Sequence, residues 1–323
     1  MNKMKCCSLV ASVCALFFSS AAVAQFGTQP TRIIFPFAAG GSGDAVARLI
    51  ADRMRTETGQ PVVVENRTGA AGRIGVEVVK TASPDGTTLL LTPFTLMVVY
   101  PHIYTNMKYN PDSDFVPVSQ VASFEFALAV ANKVPAKTVA EFVSWLKVHP
   151  EQGTYGTPGA GTLPHFFGIA LSRAAGLDLK HIGYRGASAA VADLVSGQIP
   201  IAVLSTADVL EHHKSGAIRI LATLDETQSP YLPDVPTLKA SGYDLHGNGW
   251  FALYAPAKTP RPIVDQISKI VASYAKSDEF KERLLALGLL SNGTTPDELA
   301  AIQKREAKTW EPIIKASGFR PAD

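Results

Sequence analysis

The sequence predicts an α/β protein of two doubly wound domains joined by a two-strand hinge. Three observations carry this. Short β-branched runs alternate with helix-length amphipathic segments. Two apolar runs, 116–131 and 250–255, read as crossings between halves. Each half also holds one glycine-rich turn followed by a helix.

The elements follow in order. Thr31 to Phe35, Pro61 to Glu65 and Thr87 to Thr92 are apolar on both faces, as buried parallel strands are. Between them, 44–55 sets Val46, Leu49, Ile50 and Met54 on one helical face, and 71–81 forms a second helix. The β-α-β-α-β order implies a parallel sheet. The run 116–131 reads as one strand leaving the first domain and entering the second. Thr138 to Glu141 is a capping box for a helix reaching Lys147. Strand 153–156, helix 163–175, strand 181–184, helix 187–196 with Gly197 as its stop, and strands 199–204 and 218–224 continue the alternation. Pro230, Pro233 and Pro236 mark a loop. The C-terminal part is helical: Ile263, Ile267, Ile270 and Tyr274 keep helical spacing, and Thr295-Pro296-Asp297-Glu298 is a capping box with proline in the first turn. The expected division is a signal segment 1–24, a discontinuous first domain 25–123 plus 250–323, and a second domain 124–249. Two crossings suit a cleft that closes on a ligand.

The first 24 residues read as an export signal. Lys3 and Lys5 precede the apolar stretch Cys6 to Phe18, and Ala22-Val23-Ala24 is a cleavage site. All three cysteines lie in this segment, so the mature chain has no disulfide or thiolate chemistry. Removing 24 residues, two of them lysines, from the 323 leaves 299, with 28 basic residues balancing 28 acidic ones. That balance, with no basic aromatic stretch, argues against nucleic acid as a partner.

The glycine turns carry the candidate chemistry. Phe37-Ala38-Ala39-Gly40-Gly41-Ser42-Gly43-Asp44 follows an apolar strand, and Gly159-Ala160-Gly161-Thr162 precedes the helix from Leu163. A turn with little Cβ bulk at a helix start presents unpaired N–H groups to an anion without a charged side chain. Neither turn has the lysine of a P-loop or the third small residue of a dinucleotide fingerprint. Gly186-Ala187-Ser188-Ala189-Ala190 misses the last glycine of a nucleophile elbow. None of the seven histidines has a metal-ligand spacing, so no metal or cofactor is expected. His165, in the first turn after the second glycine loop, either donates to an anion or bonds the backbone. Arg185, beside Tyr184 and ahead of the helix from Ala187, either pairs with a carboxylate or is an exposed charge. Phe37, Phe94 and Thr95 sit in turns suited to a cleft wall.

These segments resemble the Bug-type periplasmic receptors of tripartite tricarboxylate transporters over essentially the whole mature chain. The resemblance rests on 36–44, on Glu65-Asn66-Arg67-Thr68-Gly69-Ala70-Ala71-Gly72, and on Ser83-Pro84-Asp85-Gly86. It continues through 159–165, Tyr184-Arg185-Gly186, 232–237 and 255–260. It implies a type II, Venus-flytrap binding protein that works as a monomer without catalysis. The expected ligand is a small carboxylate held by 37–44, 159–162, His165 and Tyr184 to Ala187. The expected partners are membrane permease subunits or, alternatively, a sensor kinase; a secreted hydrolase is the alternative from another class. One departure bears on selectivity. Leu204-Ser205 align where many members have an Asp-Asn pair facing the ligand. An apolar residue there disfavours an amino acid and favours an aromatic or medium-chain dicarboxylate, with Leu204 against the ligand's middle.

Overall fold

The computed structural model describes residues 29–319, so the export signal lies outside the described residues. The first β-α-β-α-β run comprises β1 (Thr31–Phe35), α1 (Ser42–Thr58), β2 (Val62–Asn66), α2 (Arg73–Lys80) and β3 (Thr88–Pro93). In α1, Val46, Ala47, Ile50, Ala51 and Met54 form the buried stripe. Gly59 ends the helix in the left-handed region at φ 68°, donating its N–H to Arg55. Short helical turns span 95–102 before β4 (Phe115–Phe124).

The chain then changes sheets. β5 (Phe126–Ala131), α3 (Val139–Val148), β6 (Thr154–Thr157), α4 (Leu163–Ala175), β7 (Lys180–Gly183), α5 (Ala187–Ser196), β8 (Ile201–Ser205), α6 (Thr206–Lys214) and β9 (Ile218–Thr223) build the second lobe. β10 (Gly249–Pro256) returns to the first sheet, followed by α7 (Arg261–Ala275), α8 (Asp278–Ala286), β11 (Leu290–Ser291) and α9 (Pro296–Ser317). In α9, Thr295 and Glu298 cap each other's backbone N–H reciprocally, at 3.2 and 2.7 Å.

The sheets run β11-β4-β10-β3-β1-β2 and β7-β6-β8-β5-β9. Both are mixed rather than purely parallel. β1 pairs parallel with β2 and β3, while β10 pairs antiparallel with β3 and β4. β6 is parallel to β7 and β8, whereas β5 is antiparallel to β8 and β9. The antiparallel pairs arise because β4, β5 and β10 lie on or beside the crossings, where chain direction is set by the passage between lobes.

The apolar run 116–131 is therefore two strands in two sheets, broken at Glu125. Beside this break Gly249 pairs with Phe124, and a Cβ on Gly249 would lie 2.5 Å from that ring. Only glycine lets the returning strand pass so close to the ring. Glu125 is buried, accepts a hydrogen bond from Ser229, and has its carboxyl pushed by burial up to about 6.

Candidate ligand cleft

The crossings and the helix starts of both lobes border one aromatic cavity of about 70 Å³. Phe35, Phe37 and Phe94 come from the first lobe, Phe124, Phe126 and Phe251 from the crossings. Phe35 packs on Phe251 at 6.4 Å, Phe251 on Phe124 at 4.6 Å, and Phe124 on Phe126 at 5.3 Å between ring centres. Strand-end position explains this continuous wall: alternate side chains at the ends of β1, β4, β5 and β10 face the gap between lobes.

The lobes meet around this cavity. Asp208 Oδ1 accepts the Ser42 N–H at 2.7 Å, the Arg185 carbonyl accepts the Ala38 N–H at 3.1 Å, and Ser188 Oγ donates to the Ala39 carbonyl at 3.0 Å. Tyr100 Oη lies 2.9 Å from the Ala71 carbonyl and 3.3 Å from that of Ala160. The Phe319 ring, beyond α9, stands edge-on to His165 at 4.7 Å. This is a closed arrangement of the lobes.

Of the residues singled out in sequence, Phe37, Gly41, Ser42, Phe94, Thr95, Thr162, Ala187 and Ser205 line the cavity. Ala39, Gly40, Asp44, Gly159, Gly161, His165, Tyr184, Arg185 and Leu204 do not. Leu204 is fully buried among Ala127, Ala129, Val209 and other apolar residues of the second lobe. Strand alternation puts its neighbour Ser205 on the cleft face instead. The selectivity reading built on Leu204 therefore loses its basis, and a carboxylate does face the cleft, at Asp208.

Asp44 organises the first loop from beneath. Its carboxylate accepts from Gly40 N–H (3.1 Å), Arg48 Nε (2.9 Å) and Asn66 Nδ2 (2.9 Å), and Asn66 also donates to the Phe37 carbonyl. Burial alone would raise the Asp44 carboxyl, but these donors outweigh it and hold it below the ordinary value.

In the second loop Gly159, Gly161 and Thr162 all donate within the loop and the first turn that follows it. Gly159 N–H bonds Thr157 Oγ1, Gly161 N–H bonds His165 Nδ1 at 3.0 Å, and Thr162 N–H and Oγ1 both bond the Gly159 carbonyl. His165 accepts through Nδ1, so its proton sits on Nε2, and the ring does not line the cavity: it is the backbone-bonded histidine. Its ring stacks on His181 at 3.7 Å. Burial pushes His165 down to about 4, and burial with the neighbouring ring pushes His181 down to about 3. Both are neutral near pH 7.

Tyr184 packs on the second-lobe core and donates to Asp193 at 2.7 Å. The Arg185 side chain is exposed; its contribution across the cleft is its carbonyl. The first turns of α5 and α6, which start at Ala187 and after Ser205, bring further backbone donors to the cavity, although the Thr206 N–H is taken by the Glu125 carbonyl. Ser205 Oγ is buried and has no hydrogen-bond partner. Sequence reasoning missed α6 and with it Asp208. Phe35 falls in a strand apolar on both faces, and Phe124, Phe126 and Phe251 in the apolar crossings, so nothing in their sequence context separates a cleft-facing ring from a core one.

Known proteins share this fold. Residues 46–319 match the family described as tripartite tricarboxylate transporter family receptor. The periplasmic binding protein BugD superposes with a TM-score of 0.86 at 31% identity, covering 91% of this chain and 99% of BugD. An R. palustris protein, Rpa4515, solved with adipate superposes at 0.88 and 27% identity, covering 92% of this chain and 100% of that one. MatC from Rhodopseudomonas palustris, solved with bound malate, superposes at 0.84 and 28% identity, covering 90% and 100%. The chain belongs to the tripartite tricarboxylate transporter receptor family, whose members are solute-binding receptors rather than enzymes.

Proposed function

We propose that this protein captures a small carboxylate in the cleft, in the periplasm, and delivers it to the permease subunits of a tripartite tricarboxylate transporter. The observation that carries the reading is the meeting of helix starts from both lobes on one aromatic cavity, closed by bonds between the lobes. Unpaired N–H groups and the positive ends of α5 and α6 favour an anion there without a formal cation. The carboxylates held by Rpa4515 and MatC support the same ligand chemistry.

A thermal-shift screen of small carboxylic acids, each paired with its amide, tests the binding step. A ligand at about a hundred times its dissociation constant stabilises the folded state by roughly 2.7 kcal/mol. The acid should raise the melting temperature and its amide should not. Equal shifts from both would remove the helix-start argument. Delivery is read separately, as uptake of the identified acid by cells with and without the receptor.

A further inference from the structure

Gly159 and Gly161 do not line the cavity, yet the first lobe comes close to both. A Cβ on Gly161 would stand 3.4 Å from Ile103 Cδ1 and 3.6 Å from both Tyr100 Cε1 and Phe319 Cε1. One on Gly159 would stand 3.5 Å from the Ala71 Cβ. The hydroxyl of the buried Tyr100 bridges the lobes, 2.9 Å from the Ala71 carbonyl and 3.3 Å from that of Ala160. The second glycine loop is therefore covered by first-lobe groups drawn from three separate segments.

Two of those segments are held in place by unusual backbone. Ala70 and Ala71 both take positive φ, 47° and 53°, which alanine adopts only where its surroundings hold it there. Gly318 closes α9 at φ 66°, and beyond it the Phe319 ring stands edge-on to His165 and Phe166 of α4, at 4.7 and 5.5 Å.

The body of α9 is tied to the first lobe. Gln303 bonds Asp112 and Tyr254, and Glu306 accepts from Trp250 Nε1 at 2.8 Å. Pro312 leaves the last turns one ladder bond short, and the ring that follows them packs on the second lobe. A hinge motion about the crossings carries α9 with the first lobe, and so draws Phe319, Tyr100 and Ile103 off the glycine loop.

We infer that the second glycine loop is the seat on which the lobes close, and that Tyr100 and Phe319 are positioning residues that hold part of the population closed through protein contacts alone. This goes beyond the carboxylate reading and does not depend on it. Closure contacts that need no ligand lower the cost of closing on one.

The test is a spin-label distance measurement on ligand-free protein, with cysteines at Thr56 in α1 and Gln198 after α5, exposed positions on different lobes. The chain from residue 25 onward has no cysteine of its own. The parent protein should show a population at the distance of the closed arrangement. Phe319→Ala should cut that population about twofold or more in favour of longer distances. Tyr100→Phe keeps the packing, loses only the hydroxyl, and should shift the distribution the same way; it gives a reading that does not depend on the end of α9. Melting temperatures serve as folding control. A parent protein with no closed population overturns the inference, and so do distributions unchanged in both variants. A lower melting temperature with unchanged distances also overturns it, because that is what a merely structural role would give.

Discussion

Replacing Gly43 by alanine should damage both the fold and the cleft. Gly43 sits in the first turn of α1 beneath the aromatic wall, and a Cβ there would lie 2.7 Å from Phe35 Cε2 and 2.8 Å from Phe251 Cε1. Both rings are buried, at 4% and 5% exposure, so neither can swing into solvent. Overpacking of this kind costs about 1–3 kcal/mol. Alanine recovers about 0.5–1 kcal/mol of helix propensity. The balance is a loss of about 1–2 kcal/mol, or a melting temperature lower by about 2–6 °C for a chain of this size. The rings can retreat only into the cavity, so affinity for the ligand should fall with stability. Gly41→Ala is the control: its Cβ would stand 3.5 Å from Asp208 Oδ1 and 3.8 Å from the Ala187 Cβ, both ordinary contacts. Circular dichroism melts and calorimetry on the two variants decide the matter. A Gly43→Ala protein as stable as the wild type, with unchanged affinity, would refute the argument that this glycine shapes the wall.

Stability should also fall as pH drops from about 6.5 towards 4. The unfolded chain protonates His165 below 6.5 while the native ring resists until about 4, a gap worth about 3 kcal/mol. His181 acts in the same direction. Glu125 opposes them between 4.5 and about 6, since its raised carboxyl keeps the proton longer in the native state. The net loss is read from melts across this range, and His165→Gln should flatten the curve; a flat wild-type curve would contradict the neutral histidine stack. Thr162→Val should lower stability by about 1 kcal/mol and leave ligand selectivity unchanged, because the hydroxyl is spent on the Gly159 carbonyl at 2.7 Å. A loss of affinity without a loss of stability would show that the hydroxyl meets the ligand instead.

The first lobe's strands and the stripe of α1 were legible because burial there has a period. The capping box before α9 was legible because its two partners are three residues apart. The cleft was harder to read. Ile201 to Leu204 is apolar at every position, so no alternation showed which side chains face the gap, and Leu204 was assigned to the wrong side. The helix that follows did carry a signal: Asp208 in its first turn and His212, His213 and Lys214 in its last suit the helix dipole. The break at Glu125 was marked by a lone charge in an apolar run. Glycines in the second loop announced close backbone approach, but not that its N–H groups turn inward; that depends on His165 and Thr157, whose positions are set by packing.

The cap on α1 has a consequence for recombination. Ser42 and Asp208 lie 166 residues apart and on different lobes, yet they complete a single helix start. A chimera that exchanged the second lobe with that of a relative would cut between them at the crossings and could keep every strand pairing. It would still leave α1 without its terminal acceptor unless the incoming lobe supplied a carboxylate at the same place. The lobes are thus separable as sheets but not as parts of the site, and exchange between family members has to carry this pair together.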